Sequence, residues 1–174
     1  MSNTLYTPED VIMQEALTEF TQSLPVWLQW AGVMLAAAIP FVESYFGTLI
    51  GIVAGVPLPI TLLAAVIGNA ASMLAFVFAA SAARAKVLAR RSGGGAEHAE
   101  PSPRRARVKR MFDRFGVPGV SLLGQAVLPS QITSGMMVSF GASRNAVIFW
   151  QIISIILWAI IFALIGLGGL ALFR

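Results

Sequence analysis

The carboxyl group of Glu43 has more chemistry open to it than any other side chain in this sequence. It stands in the run Pro40–Asn69, PFVESYFGTLIGIVAGVPLPITLLAAVIGN, which holds no other charge. An ionised group at the centre of a bilayer costs about 2.5–3.5 kcal/mol on insertion scales, so one kept there marks a functional site by default. Taking a carboxylate out of water favours its protonated form. Glu43 is therefore able to take up and release a proton, the step a proton-coupled carrier needs. The competing reading puts Glu43 at the membrane–water interface, hydrated and inert, because a helix can end near Phe41.

Uncharged polar residues form the second group. Gln125, Ser130, Gln131, Thr133 and Ser134 gather around a break in a later apolar stretch, and Thr61 and Asn69 flank the first one. Such groups can hold a headgroup or an ion, helped by backbone N–H groups freed where a helix is interrupted. They can equally repair the interrupted backbone or join helices. Arg114 can attract a phosphate, but it is one of ten Lys and Arg between Arg84 and Arg114, out of twelve in the chain. Asn145 and Gln151 read as contacts between helices. No His-Glu-x-x-His, acid pair, Gly-x-Gly-x-x-Gly or P-loop pattern occurs, and the one histidine, His98, lies in a hydrophilic linker. The residues therefore point away from an enzyme, and no metal or cofactor is expected.

The elements that must position these groups are membrane helices. The chain is 57% hydrophobic and 11% charged over 174 residues, against about 25% charged in soluble domains. Cysteine is absent, which excludes disulfides and thiolate metal sites. The acidic N-terminus lacks the positive region of a cleaved signal peptide. Segment 1–24 reads as an amphipathic helix. Thr7 would cap it, Pro8 open it and Asp10 complete a capping box, with Ile12, Met13, Ala16, Leu17 and Phe20 on one face. Residues 25–91 form a first membrane half. Pro25–Phe41 is a span anchored by Trp27 and Trp30, and Ile60–Ala83 is another. Between them Tyr45–Pro59 has 15 residues, short of the roughly 20 a span needs. Interrupted by Gly55, Pro57 and Pro59, it reads as a re-entrant hairpin turning near Gly55-Val56-Pro57.

Residues 92–103 are a flexible linker, rich in Gly, Ser and Pro. Segment 104–174 begins with a basic amphipathic helix, Arg104–Phe115, suited to an anionic leaflet. A second broken stretch follows, interrupted by Pro118, Gly119, Pro129 and Gly135, and then a last span, Ala146–Phe173. The basic loop 84–115 belongs on the cytoplasmic side by the positive-inside rule, with no nucleic acid implied. Pro57-Leu58-Pro59-Ile60-Thr61 and Pro129-Ser130-Gln131-Ile132-Thr133 share the spelling Pro-x-x-Ile-Thr. Interrupted segments at matching places in two halves mark inverted-repeat transporters. With two hairpins the N-terminus is cytoplasmic and the C-terminus external. With full spans both assignments reverse.

The run Pro40-Phe41-Val42-Glu43, the sequence Ile67-Gly68-Asn69, Val127-Leu128-Pro129, Thr133 with Gly135, and Gly141 resemble the small multidrug export protein family, related to DedA/VTT-type membrane proteins. Arg114-Phe115-Gly116-Val117-Pro118-Gly119 is similar to the DedA-type Arg-Phe-x-Pro-Gly turn, with one extra residue before the proline. The likeness runs from about Pro40 to Gly168. Ser44 and Tyr45 stand where the family often has an arginine, and Ser130-Gln131 replaces an adjacent Pro-Gly. The resemblance implies an inner-membrane protein with two opposed re-entrant hairpins; with the spans read above, the expectation is an all-α protein of about three transmembrane helices and two such hairpins, with a homodimer as its assembly. It also implies transport of a small amphiphilic or lipid-phosphate substrate between membrane lipids, coupled to protons. Two other functions stay open. One is a proton/drug-cation exporter that uses Glu43, with Trp30 or Tyr45 as a cation–π surface. The other is a non-transporting assembly or scaffold protein that docks through the loop 84–115.

Overall fold

The computed structural model describes residues 8–91, 103–126 and 128–172, and all regular structure among them is helical. The elements are α1 (Pro8–Ser23), a 3-10 turn (Val26–Leu28), α2 (Gln29–Ala38), α3 (Glu43–Val53), α4 (Leu58–Arg91), α5 (Pro103–Gly124), α6 (Ser130–Phe140) and α7 (Arg144–Leu172). The expected Thr7 cap and the linker 92–102 lie outside the described residues. Pro103, the last residue of the expected linker, opens α5.

Local signals account for most boundaries. Pro25 and Pro129 each precede a helix in an extended conformation, with φ near −52° and ψ of 142° and 144°. Proline lacks an N–H and suits a helix entry, where that donor has no partner. Pro59, expected to break the chain, sits instead in the first turn of α4. There the missing N–H costs nothing. Gly119 and Gly135 also lie inside helices, α5 and α6, rather than at breaks. Among the described residues the breaks fall at 39–42, 54–57, 125–126 with 128–129, and 141–143, and at Gly116 within α5. Gly116 has φ 65° and ψ −165°, which splits that helix into a basic arm, 103–115, and an apolar arm, 117–124.

Lengths decide which helices suit a bilayer. Residues 58–89 of α4 and 144–169 of α7 are long and apolar enough to cross one, and only 33% and 28% of their most apolar windows are buried. A core helix of a water-soluble protein is mostly buried, so this exposure fits a lipid surround. The third expected span is shorter. Its apolar part is Val26–Ala38, about 20 Å at 1.5 Å per residue against roughly 30 Å of hydrocarbon. The chain then turns at Ile39–Val42 into α3, where a continuous helix was expected to end and a hairpin to begin only at Tyr45.

Two compact units divide the chain. The first holds residues 1–69 and 155–174, and the second 70–154, so α4 and α7 each contribute to both. In the first unit α2 and α3 pack against each other, and α1 packs on both. Met13 and Leu17 of α1 reach the cluster of Ala36, Val42 and Ile50, while Ile12 and Phe20 remain exposed. The buried stripe of α1 therefore runs Met13, Leu17, Thr21 rather than through Ile12 and Phe20. A second cluster, Val33, Ala37, Val56, Ala64 and Ala65, joins α2 to the start of α4. In the second unit α5 packs on α6. Val108, the one fully buried residue of the basic arm, and the neighbouring Phe112 hold that arm down. Phe112 meets Phe140 at 5.9 Å between ring centroids.

Candidate functional site

Glu43 is the first residue of α3 and is fully buried. Its backbone is left-handed, φ 55°, and so is that of Phe41, φ 74°. Each left-handed non-glycine residue costs roughly 1–2 kcal/mol. The turn persists because the chain around it is tied. The N–H groups of Val42 and Glu43 both donate to the Ile39 carbonyl at 3.1 Å, and Phe46 N–H donates to Val42 O at 3.2 Å. Backbone strain of this kind clusters at functional positions.

Close packing holds α3 in the first unit. A Cβ on Gly47 would fall 2.7 Å from the Ala37 Cβ, and one on Gly51 would overlap the Thr61 side chain. Ser44 Oγ donates to the Ile155 carbonyl of α7 at 2.9 Å, and Thr48 Oγ1 donates to Ser44 O at 2.6 Å. Tyr45 and Phe46 of α3 join Trp158 and Phe162 of α7 in an aromatic cluster. Tyr45–Phe162 centroids lie 5.1 Å apart, and Tyr45–Trp158 centroids 6.3 Å. Thr61 is buried, but its hydroxyl donates to Val56 O at 3.1 Å, so it repairs the turn before α4. Asn69 is fully buried on α4 in this same unit.

The second unit holds the other candidates. Ser130, Gln131, Thr133 and Ser134 lie in the first turns of α6, all buried. Pro129 precedes them, with no side-chain cap on the helix. Thr133 Oγ1 lies 3.2 Å from the carbonyls of Pro129 and Ser130, and it accepts from Gln151 Nε2 at 3.2 Å. Gln131 Nε2 approaches Ser72 Oγ of α4 at 3.5 Å, and Ser130 Oγ approaches Gln131 Oε1 at 3.4 Å. Ser154 Oγ lies 2.6 Å from both the Ser121 carbonyl and Gln125 Oε1. Buried, Ser121 Oγ, Gln125 Nε2 and Gln151 Oε1 meet no partner among the described residues. Buried polar atoms are normally paired, so each such exception calls for an explanation.

The expected residues thus fall into two sets. Glu43, Thr61 and Asn69 belong to the first unit, and Gln125, Ser130, Gln131 and Thr133 to the second. Arg114 ends the basic arm of α5, with its guanidinium 5.1 Å from the centre of the Phe115 ring. Of the expected breaks, Gly55 takes a left-handed φ of 80° between α3 and α4, followed by Pro57. Pro118 starts the apolar arm just after Gly116. Reading the sequence alone missed Ser44, Thr48, Ser72, Ser121 and Ser154. Spacing carries their signal: Ser121 and Gln125 are four apart, and Gln151 and Ser154 three apart, so each pair shares a helix face. No cluster of His, Cys, Asp or Glu able to hold a metal occurs among the described residues. No known protein family, curated protein or solved structure matches the chain.

Proposed function

We propose that this protein is a multi-pass carrier of the cell (inner) membrane, of the DedA-like or small multidrug export type. It moves a small amphiphilic or lipid-phosphate substrate, and protonation of Glu43 gates the step. The observation that carries this reading is Glu43 itself: a fully buried carboxyl on a left-handed backbone, at a turn between two short helices. An anchor or scaffold has no use for an ionisable group in that position, whereas a carrier does. The polar first turns of α6, with Ser130, Gln131 and Thr133, offer neutral polar side chains and the positive end of the helix dipole to an anionic headgroup. The basic arm of α5 and the end of α4 face the cytoplasm, and Arg114 draws the headgroup in. The α2–α3 and α5–α6 pairs are the two re-entrant hairpins of this account, and a homodimer is its assembly.

The test uses the full chain in vesicles with an imposed pH gradient and a fluorescent short-chain isoprenoid phosphate as cargo. Glu43→Gln keeps the shape of the side chain and removes the charge. The expected result is loss of gradient-driven movement by tenfold or more, with helicity and insertion unchanged. Gradient-driven movement at the original rate in that variant removes the mechanism.

A second reading draws on the aromatic cluster beside α3. Tyr45, Phe46, Trp158 and Phe162 offer π faces to a lipophilic cation, which a buried carboxylate can exchange for a proton. Replacing the isoprenoid phosphate by tetraphenylphosphonium separates the two, because a cation exchanger moves only the latter.

A further inference from the structure

At the end of α5, buried oxygens crowd together without the hydrogens to bridge them. Ser154 Oγ sits 2.6 Å from the Ser121 carbonyl and 2.6 Å from Gln125 Oε1. A hydroxyl has one hydrogen, so it bridges one contact and leaves two oxygens facing each other in the second. Turning the Gln125 amide over places Nε2 against Ser154. It also moves Oε1 to where Nε2 meets no partner among the described residues, so one orphan replaces another. Ser121 Oγ and Gln151 Oε1 are buried without partners as well. Among the described residues, no protein atom closes this cluster in either amide orientation.

The composition of the cluster favours a positive occupant. Ser121, Gln125, Gln151 and Ser154 are all neutral, and together they present carbonyl, amide and hydroxyl oxygens. Ser121 lies in the last turn of α5, where the helix dipole places partial negative charge. Broken membrane helices use such C-terminal ends to coordinate sodium, and rings of neutral oxygens replace the hydration shell of a monovalent ion. Without a carboxylate, a divalent ion is a poor fit.

We propose that the Ser121 carbonyl and hydroxyl, Gln125 Oε1 and Ser154 Oγ form a binding site for a dehydrated monovalent cation of sodium's size, with Gln151 one turn earlier on α7 as a further ligand. The site adjoins the first turns of α6, since Gln151 Nε2 donates to Thr133 Oγ1 at 3.2 Å, and it does not depend on the carrier reading because binding is to the resting protein.

The experiment uses the purified full chain in detergent. Thermal unfolding is followed in sodium, potassium and choline chloride at equal ionic strength, alongside equilibrium binding of radioactive sodium. The expected outcome is a saturable rise of the unfolding temperature by several degrees in sodium and none in choline. Ser154→Ala should weaken sodium binding at least tenfold. Gln125→Glu should tighten it, because a carboxylate adds charge to the ligand set, which a merely structural glutamine would not reward. Equal unfolding temperatures in the three salts overturn the proposal and assign the cluster to a buried water. So does wild-type sodium binding in both variants. Should Ser154→Ala fail to fold, the salt series and Gln125→Glu decide alone.

Discussion

Helices α3 and α6 are the same length, 11 residues, and they end alike. After α3, Gly55 N–H bonds Ile52 O and Val56 N–H bonds Gly51 O. After α6, Gly141 N–H bonds Val138 O and Ala142 N–H bonds Met137 O. Both are Schellman endings on a left-handed glycine, and each leads into a long apolar helix. The starts differ. α3 opens on a strained, buried acid, and α6 opens on a relaxed proline followed by amides and hydroxyls. α3 is seated by glycine contacts, aromatic rings and one hydroxyl bond to α7. α6 is seated largely by side-chain hydrogen bonds. One backbone frame thus carries two unlike chemistries, and the residues at the helix start, not the frame, decide which.

The sharpest way to break this contrast is to attack the close packing of the first unit. A Cβ at Gly68 would overlap the Met34 carbonyl of α2, and backbone cannot yield as a flexible side chain can. Gly68→Ala should cost about 3 kcal/mol, seen as a lower unfolding temperature. Gly168, with nothing near its Cβ position, should tolerate alanine without change. The second unit should instead feel the loss of hydroxyls. Ser154→Ala takes a hydrogen-bond partner from the Ser121 carbonyl or from Gln125 Oε1, at about 1–3 kcal/mol. Ser44→Ala, which removes a single bond to Ile155, should cost less, about 1 kcal/mol. Equal costs in denaturant titrations would erase the distinction between the units.

Strain gives a stabilising prediction. Phe41 is left-handed and half exposed, so Phe41→Gly should raise stability by about 1 kcal/mol. A lower unfolding temperature in that variant would mean that the ring contributes more than the strain costs. The smallest effect belongs to the basic arm, where Arg105 lies 4.8 Å from the centre of the Phe140 ring. Arg105→Ala should cost about 0.5–1 kcal/mol by the same unfolding measurement.

Composition and apolar runs were enough to read helices and the two long apolar segments. The shared Pro-x-x-Ile-Thr spelling misled. Thr61 N–H bonds Pro57 O and Thr133 N–H bonds Pro129 O, both at 2.9 Å, so each proline marks a helix entry. One entry leads into the 34-residue α4 and the other into the 11-residue α6, so the two are not equivalent positions. What α3 and α6 share is helix length and a glycine ending, which spelling does not reveal. A helix end near Phe41 was legible, but the start of α3 at Glu43 was hidden, because Phe41 and Glu43 adopt a conformation that their residue types disfavour. Ser44, Ser121 and Ser154 were hidden because a lone hydroxyl in an apolar helix declares itself only once its neighbour across the interface is known.

Gly116 has a last consequence. Its φ and ψ fall in a region open essentially to glycine alone. On one side of it stand Arg105, Arg107, Lys109, Arg110 and Arg114; on the other stand Val117, Val120, Leu122 and Leu123. A single residue without a side chain therefore divides one helix into a basic arm and an apolar arm. Any other residue there would carry the strain of a positive φ, and relieving it would turn the basic arm against the apolar one and disturb the seat of Ser121 and Gln125.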